Sequence, residues 1–322
     1  MPFSCSAQRG RSLIEVMIAM TIGLVILVAV TSLFVSSKQT FRATDDKGRL
    51  EEDGRLALNL LAFHLRMAGY GPLVSNSLQG RTPKTNMLDD NVSASVTAVG
   101  IAGCTGGFVS AANVVRSCNN TAAADGFLVR YVAELENSNL TAASVPTDCL
   151  GQAVIRVPAV VENRFYVASN ATTGLTELYC QGSGSTASNA TTFVSPAQPV
   201  AENIMDMRIS YGFSNVDDGQ SSDAFFSASQ IDDPTLPDPA VQYPDSYPVA
   251  ISTPNAMQDR KWMKVMSAKI CLVVRSANDG IATIPQQYRD CTGTIITAPD
   301  RRLYQTFSTV IALRNRNLGS IN

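Results

Sequence analysis

One carboxylate, Glu15, stands near the start of an otherwise apolar run from Leu13 to Val35, with Arg9, Gly10 and Arg11 just before it. The chemistry open to such a residue is electrostatic. As a helix the run reaches about 34 Å at 1.5 Å per residue, enough to cross a hydrocarbon core of about 30 Å. An acid in that setting costs roughly 2.5–3.5 kcal/mol on insertion scales, so an opposite charge must meet it in the working state. Two sources are open: Arg11, four residues earlier and on the same helical face, or a cation on a neighbouring chain. Ala19 and Gly23 add a small-xxx-small pair of the kind that lets helices approach closely.

Few other side chains suggest chemistry. The chain has a single histidine, His64, so a histidine-based metal centre or a Ser-His-Asp triad is hard to assemble around it, and a helix-surface or half-buried position is expected. GxSxG, SxxK, HExxH, GxGxxG and Walker A patterns are absent, which disfavours an enzyme. Asp217, Asp218, Asp223, Asp232, Asp233 and Asp238 crowd one region, and carboxylates are calcium ligands, but NVDDGQSSD lacks EF-hand spacing. A solvated acidic loop is the expectation there, with no metal and no cofactor. Asn-x-Ser/Thr triplets at Asn91, Asn119, Asn139, Asn170 and Asn189 would be glycosylation sites only in a eukaryotic secreted chain.

The elements that must position Glu15 follow from periodicity. Beyond the apolar run the helix continues to about Ala68, because Leu50, Leu56, Leu60, Leu61, Phe63, Leu65 and Met67 recur at helical spacing. Gly69 and Gly71-Pro72 then stop it. Gly48 and Gly54 weaken it by roughly 1 kcal/mol each, which marks a place for a bend or break. After Pro72 strand-type runs take over: Gly126 to Val132, Ala153 to Val157, Arg164 to Val167, Leu175 to Tyr179, Ile204 to Tyr211, Ala268 to Arg275 and Leu303 to Leu313. Ser183 to Thr192 and the Pro- and Asp-rich stretch Asn215 to Asp259 read as exposed loops. The fold class is α+β, a long N-terminal helix and then one β-rich domain.

The 322 residues are 45% hydrophobic and 16% charged, with a net charge of −2. No basic field exists to attract nucleic acid. Arg9 and Arg11 precede the apolar run and Lys38 is the next cation after it, so the positive-inside bias places the N-terminus in the cytoplasm and the rest outside.

The order Gly10, Arg11, Ser12, Leu13, Ile14, Glu15 resembles the processing motif of type IV pilins and pseudopilins. The resemblance implies cleavage between Gly10 and Arg11 by a prepilin peptidase, methylation of the new amine on Arg11, and pairing of Glu15 with the N-terminal amine of a neighbouring subunit. Arg11 departs from the Phe or Met usual at that place. LAFHLRMAGYG at Leu61 to Gly71, ENIMDMRISYG at Glu202 to Gly212 and the ending from Arg302 to Arg316 further resemble the PilW subgroup of minor pilins, whereas Ser75 to about Ala201 lacks such support. The chain is then divided as a leader over 1–10, a transmembrane and filament-core helix over 11–36, an amphipathic continuation over 37–70 and a β-rich domain over 71–322. The function implied is that of a non-catalytic minor pilin that helps initiate type IV pilus assembly and can sit at the tip. Its partners would be other minor pilins, the major pilin and inner-membrane lipid, and its location the inner membrane and then the pilus. A type II secretion minor pseudopilin, or a membrane-anchored periplasmic adhesin or enzyme, is the alternative.

Loss of the leader would remove Cys5 and leave Cys104, Cys118, Cys149, Cys180, Cys271 and Cys291. An even set outside the cytoplasm fits disulfides. Pairing between sequence neighbours is preferred among many connectivities, while Cys271, inside the apolar run KICLVV, could instead be a buried free thiol.

Overall fold

The computed structural model describes residues 12–71, 73–75, 84–86, 99–111, 116–121, 123–155, 159–170, 172–184, 193, 196–214, 222, 224–233, 261–262 and 264–316. Helix α1 (Leu13–Met67) is one unbroken element. Its halves differ. From Leu13 to Asp45 no residue is buried, whereas Asp46, Leu50, Gly54, Ala57, Leu61, His64 and Leu65 form a buried stripe at helical spacing. The helix does not break at Gly48 or Gly54. Around Gly48 there is open space, but a Cβ at Gly54 would run into the Phe307 ring, so Gly54 lets helix and sheet approach instead of breaking the helix. Ala68 leaves helical geometry and Gly69 takes a φ of 75°, its N–H donating to Arg130 C=O at 2.8 Å.

Two short strands, β1 (Leu73–Ser75) and β2 (Lys84–Asn86), form an antiparallel pair. Strands β3 (Ile101–Cys104), β4 (Gly126–Val132), β5 (Val160–Ser169), β6 (Thr176–Gly182) and β7 (Gln198–Glu202) then make a five-stranded antiparallel meander in that order. The second sheet contains β8 (Ile204–Phe213), β9 (Ala224–Phe226), β10 (Val265–Arg275) and β13 (Tyr304–Ala312), in the spatial order β13-β10-β8-β9. A hairpin of β11 (Gln287–Arg289) and β12 (Ile295–Thr297) lies between β10 and β13 in sequence, and a short helix α2 (Ala228–Ile231) follows β9.

Helix α1 packs on β10 and β13 of one sheet and on β4 and β7 of the other, and β8 meets β4, β5 and β6 across the junction. One core results, with Leu61, Leu65, Phe127, Phe165, Met207, Leu272 and Trp262 among its members. Asp125 ties the sheets together: its N–H donates to Met207 C=O at 2.8 Å, and its carboxylate accepts from Gly106 N–H at 3.1 Å and Ile209 N–H at 3.0 Å. The helix is fastened at both ends of its packed half. Asn278 Nδ2 donates to Asp46 Oδ1 at 2.8 Å, and Asn315 Nδ2 to Arg66 C=O at 2.8 Å.

Several expectations are corrected by these contacts. His64 is buried, 5% exposed, because it lies on the stripe that faces β5 and not on the outer face of the helix. The stretch Asn215 to Asp259 is not simply an exposed loop: β9 and α2 fall inside it, and Ala228 and Ile231 are buried, while 215–221, 223 and 234–259 lie outside the described residues. Ser183 and Gly184 are buried as well, and 185–192 lie outside the described residues. Ala153 makes only an isolated bridge to Thr147 in place of a strand, and 156–157 lie outside the described residues.

Candidate assembly surface

Glu15 sits in the first turn of α1, fully on its exposed surface, with Ser12 as N-cap. The one hydrogen bond its carboxylate makes among the described residues is from Ser12 N–H, at 3.3 Å. That contact completes a helix N-terminus, where an acid also meets the positive end of the helix dipole. It offers no cation. Gly10 and Arg11 lie outside the described residues, so a pairing of Arg11 with Glu15 does as well.

Around and beyond Glu15 the helix presents apolar side chains on every side: Leu13 is 78% exposed, Met20 70% and Leu33 70%. The most apolar stretch has a mean hydropathy of 2.7 and none of it is buried within the chain, and this is a helix long and apolar enough to cross a membrane. Gly23 has nothing near it, so the Ala19/Gly23 face is free for another helix. Such a surface is stable only when lipid or other helices cover it.

The domain that carries this helix is held by covalent and ionic ties. Disulfides join Cys104 to Cys118, Cys149 to Cys180, and Cys271 to Cys291. Cys271 is therefore not a free thiol: it sits on the sheet face away from α1, where the β11–β12 hairpin brings Cys291 over it and Tyr288 stacks on Tyr304. Between β4 and β5, Glu162 accepts from Arg130 Nε and Arg164 Nε, both at 2.6 Å. Burial would raise the Glu162 carboxyl, but the two guanidinium groups outweigh it and hold the acid below its ordinary range.

The acidic region is solvated only in part where it is described: Asp233 is exposed, but Asp232 is half-buried and ion-paired. Asp232 receives Arg116 Nη1 at 2.6 Å, Arg116 Nη2 at 2.8 Å and Trp262 Nε1 at 2.8 Å. This bidentate pair clamps the Cys104–Cys118 hairpin to the second sheet. Asp217, Asp218, Asp223 and Asp238 lie outside the described residues, and among the described residues no group of acids, cysteines and histidine is arranged to hold a metal. His64 Nδ1 lies 3.4 Å from Asn163 Nδ2, which also reaches Tyr131 Oη at 3.2 Å. Desolvation pushes His64 down to about 4 and Tyr131 up to about 12. This is a neutral, packed network at the helix–sheet junction. Nothing in the residue pattern signalled it, because Asn163 and His64 are far apart in sequence.

Residues 5–31 match the prokaryotic N-terminal methylation motif. With the exposed apolar helix behind it, that match defines a protein of the type IV pilin class, anchored through its N-terminal helix; proteins of this class associate with other pilins and are processed by a prepilin peptidase. Residues 164–315 match the family of type IV pilus-assembly protein W. Together the two matches support a PilW-like minor pilin with a role in the type IV pilus. The match begins at Arg164, so it reaches into a region that the sequence resemblance left unsupported, and it leaves out Leu61 to Gly71. A similar solved structure is a type IV-like pilin from Thermus thermophilus, 12% identical, with 84% of this chain and 98% of that one covered and a TM-score of 0.39. No curated protein matches the sequence.

Proposed function

We propose that the chain is a non-catalytic subunit that helps initiate type IV pilus assembly together with other minor pilins, at or near the filament tip. In this reading the peptidase cuts between Gly10 and Arg11, Arg11 becomes the methylated N-terminus, and Glu15 pairs with the N-terminal amine of a neighbouring subunit. The N-terminus starts in the cytoplasm and the β-rich domain in the periplasm. The observation that carries the reading is the state of Glu15: an acid on a bare apolar helix whose described hydrogen-bond partner is a backbone N–H rather than a cation. A charge-assisted bond to a neighbour's amine would offset the cost of placing that acid in lipid.

Glu15→Gln tests it. Removing the charge eases insertion, so the variant should still be cleaved and membrane-inserted, while pili become fewer and co-purification with other minor pilins weakens. Normal pilus numbers and unchanged association in Glu15→Gln would defeat the filament contact. N-terminal sequencing of membrane-extracted protein tests the cleavage position separately, with Arg11 as the expected first residue.

A further inference from the structure

The edges of the two large sheets are not alike. β7 carries Pro199 and Glu202 and pairs with β6 across a register shift at Leu178/Tyr179, β9 is three residues long, and β3 is buried along its length. Those are the usual ways of keeping an edge from pairing with another chain. β13, with the sequence YQTFSTVIA, has none of them: it holds no Pro, no Gly and no charge, and most of its residues favour strands.

The backbone of β13 shows which of its groups are free. Ser276 N–H donates to Leu303 C=O at 2.8 Å and Leu313 N–H to Met266 C=O at 2.8 Å, so odd-numbered residues of this segment turn toward β10 and even-numbered ones outward. The first outward position is capped within the chain. Gln286 Oε1 accepts from Tyr304 N–H at 2.8 Å, and Gln286 Nε2 donates to Tyr304 C=O at 3.0 Å. Farther along, Ser308, Val310 and Ala312 are exposed, Val310 by 57%, and their outward backbone groups have no partner among the described residues. Lys269, opposite Val310 on β10, and Arg314, just past the strand, are both exposed, and neither has an ion-pair partner among the described residues.

We infer that the β13 edge from Ser308 to Ala312 is a docking strip for an extended, acid-bearing strand of another pilin-class subunit. Main-chain pairing extends the four-stranded sheet, and the carboxylates of the incoming strand meet Lys269 and Arg314. The kind of partner rests on the assembly reading, but the surface is separate from Glu15 and its helix.

The test places photo-reactive benzoylphenylalanine at Val310 of the full chain in cells that make it, with a parallel experiment at Leu27 on the apolar helix. Mass mapping should find the adduct at 310 on an Asp- or Glu-bearing strand of another pilin-class subunit. Ser308→Pro removes an outward N–H, and the pair Lys269→Glu and Arg314→Glu reverses the flanking charge; each should cut that adduct at least about tenfold. Unchanged emission from the buried Trp262 verifies that the variants are folded. An adduct at 310 to lipid, to a helix or to this chain itself, or no adduct, overturns the strip; persistence of the Leu27 adduct then leaves the assembly reading intact. Absence of adducts to any pilin at both positions overturns that reading too.

Discussion

The two halves of α1 are built from the same backbone and obey opposite rules. Up to Asp45 no side chain is buried, and from Asp46 onward one stripe is sealed under two sheets. Mean propensity does not separate them, since both halves hold a glycine and both are rich in good helix formers. What separates them is where the partner comes from. The domain half finds its partner within the chain, through Phe307, Phe165 and Asn163, whereas the apolar surface of the first half is not buried within the chain. A single helix therefore carries intrachain stability on one half and, under the proposed function, assembly on the other.

Substitutions that shrink matching side chains in the two halves should break that comparison most sharply. Leu61 is fully buried and Leu27 is 67% exposed. Leu61→Ala is expected to lower the unfolding free energy of the solubilised chain by about 2–5 kcal/mol, and Leu27→Ala to leave it unchanged. Urea titration followed through the single, buried Trp262 reads both. Equal losses would mean that the halves are not energetically distinct.

A pH effect comes next. His64 titrates near 4 in the fold against about 6.5 unfolded, so between those values the unfolded chain binds the extra proton. Its contribution to stability is whole above about pH 6.5, declines as pH falls toward 4, and is gone below that; the total is about 3 kcal/mol. Replacing His64 with a non-titrating residue should flatten the stability profile between pH 6.5 and 4. Carboxylates such as Glu162, held below their ordinary range, lose their contribution at lower pH, so the His64 component is read as the difference between wild type and variant.

The two glycines of the second half sharpen the comparison at smaller cost. Gly54→Ala forces the Phe307 ring to move and should destabilise by about 1–3 kcal/mol. Gly48→Ala meets open space and should stabilise by up to about 1 kcal/mol, through helix propensity alone. Thermal unfolding of the pair should move in opposite directions. The smallest effect belongs to Asp45→Asn: its pair with Arg49 at 3.2 Å is solvent-exposed, and a double-mutant cycle should find no more than about 0.5 kcal/mol.

Local regularities were legible from residues alone. The helix from Leu13 to Met67 follows from an apolar run and a 3.6-residue period, and Gly126 to Val132, Ile204 to Tyr211 and Ala268 to Arg275 show as strands because branched and aromatic residues cluster there. Glu15 stood out because an acid within a membrane-length run is costly wherever the chain ends up. Long-range pairing was not legible. That β10 lies between β8 and β13, that Arg116 grips Asp232 across the fold, that His64 is sealed against Asn163, and that Gly54 admits Phe307 depend on residues brought together from distant parts of the sequence. Periodicity records which face of an element is apolar; it carries no information on which other element covers that face. The free edge of β13 belongs to the same group, because a strand's backbone donors and acceptors are identical in every sequence until the sheet order decides which of them are left unpaired.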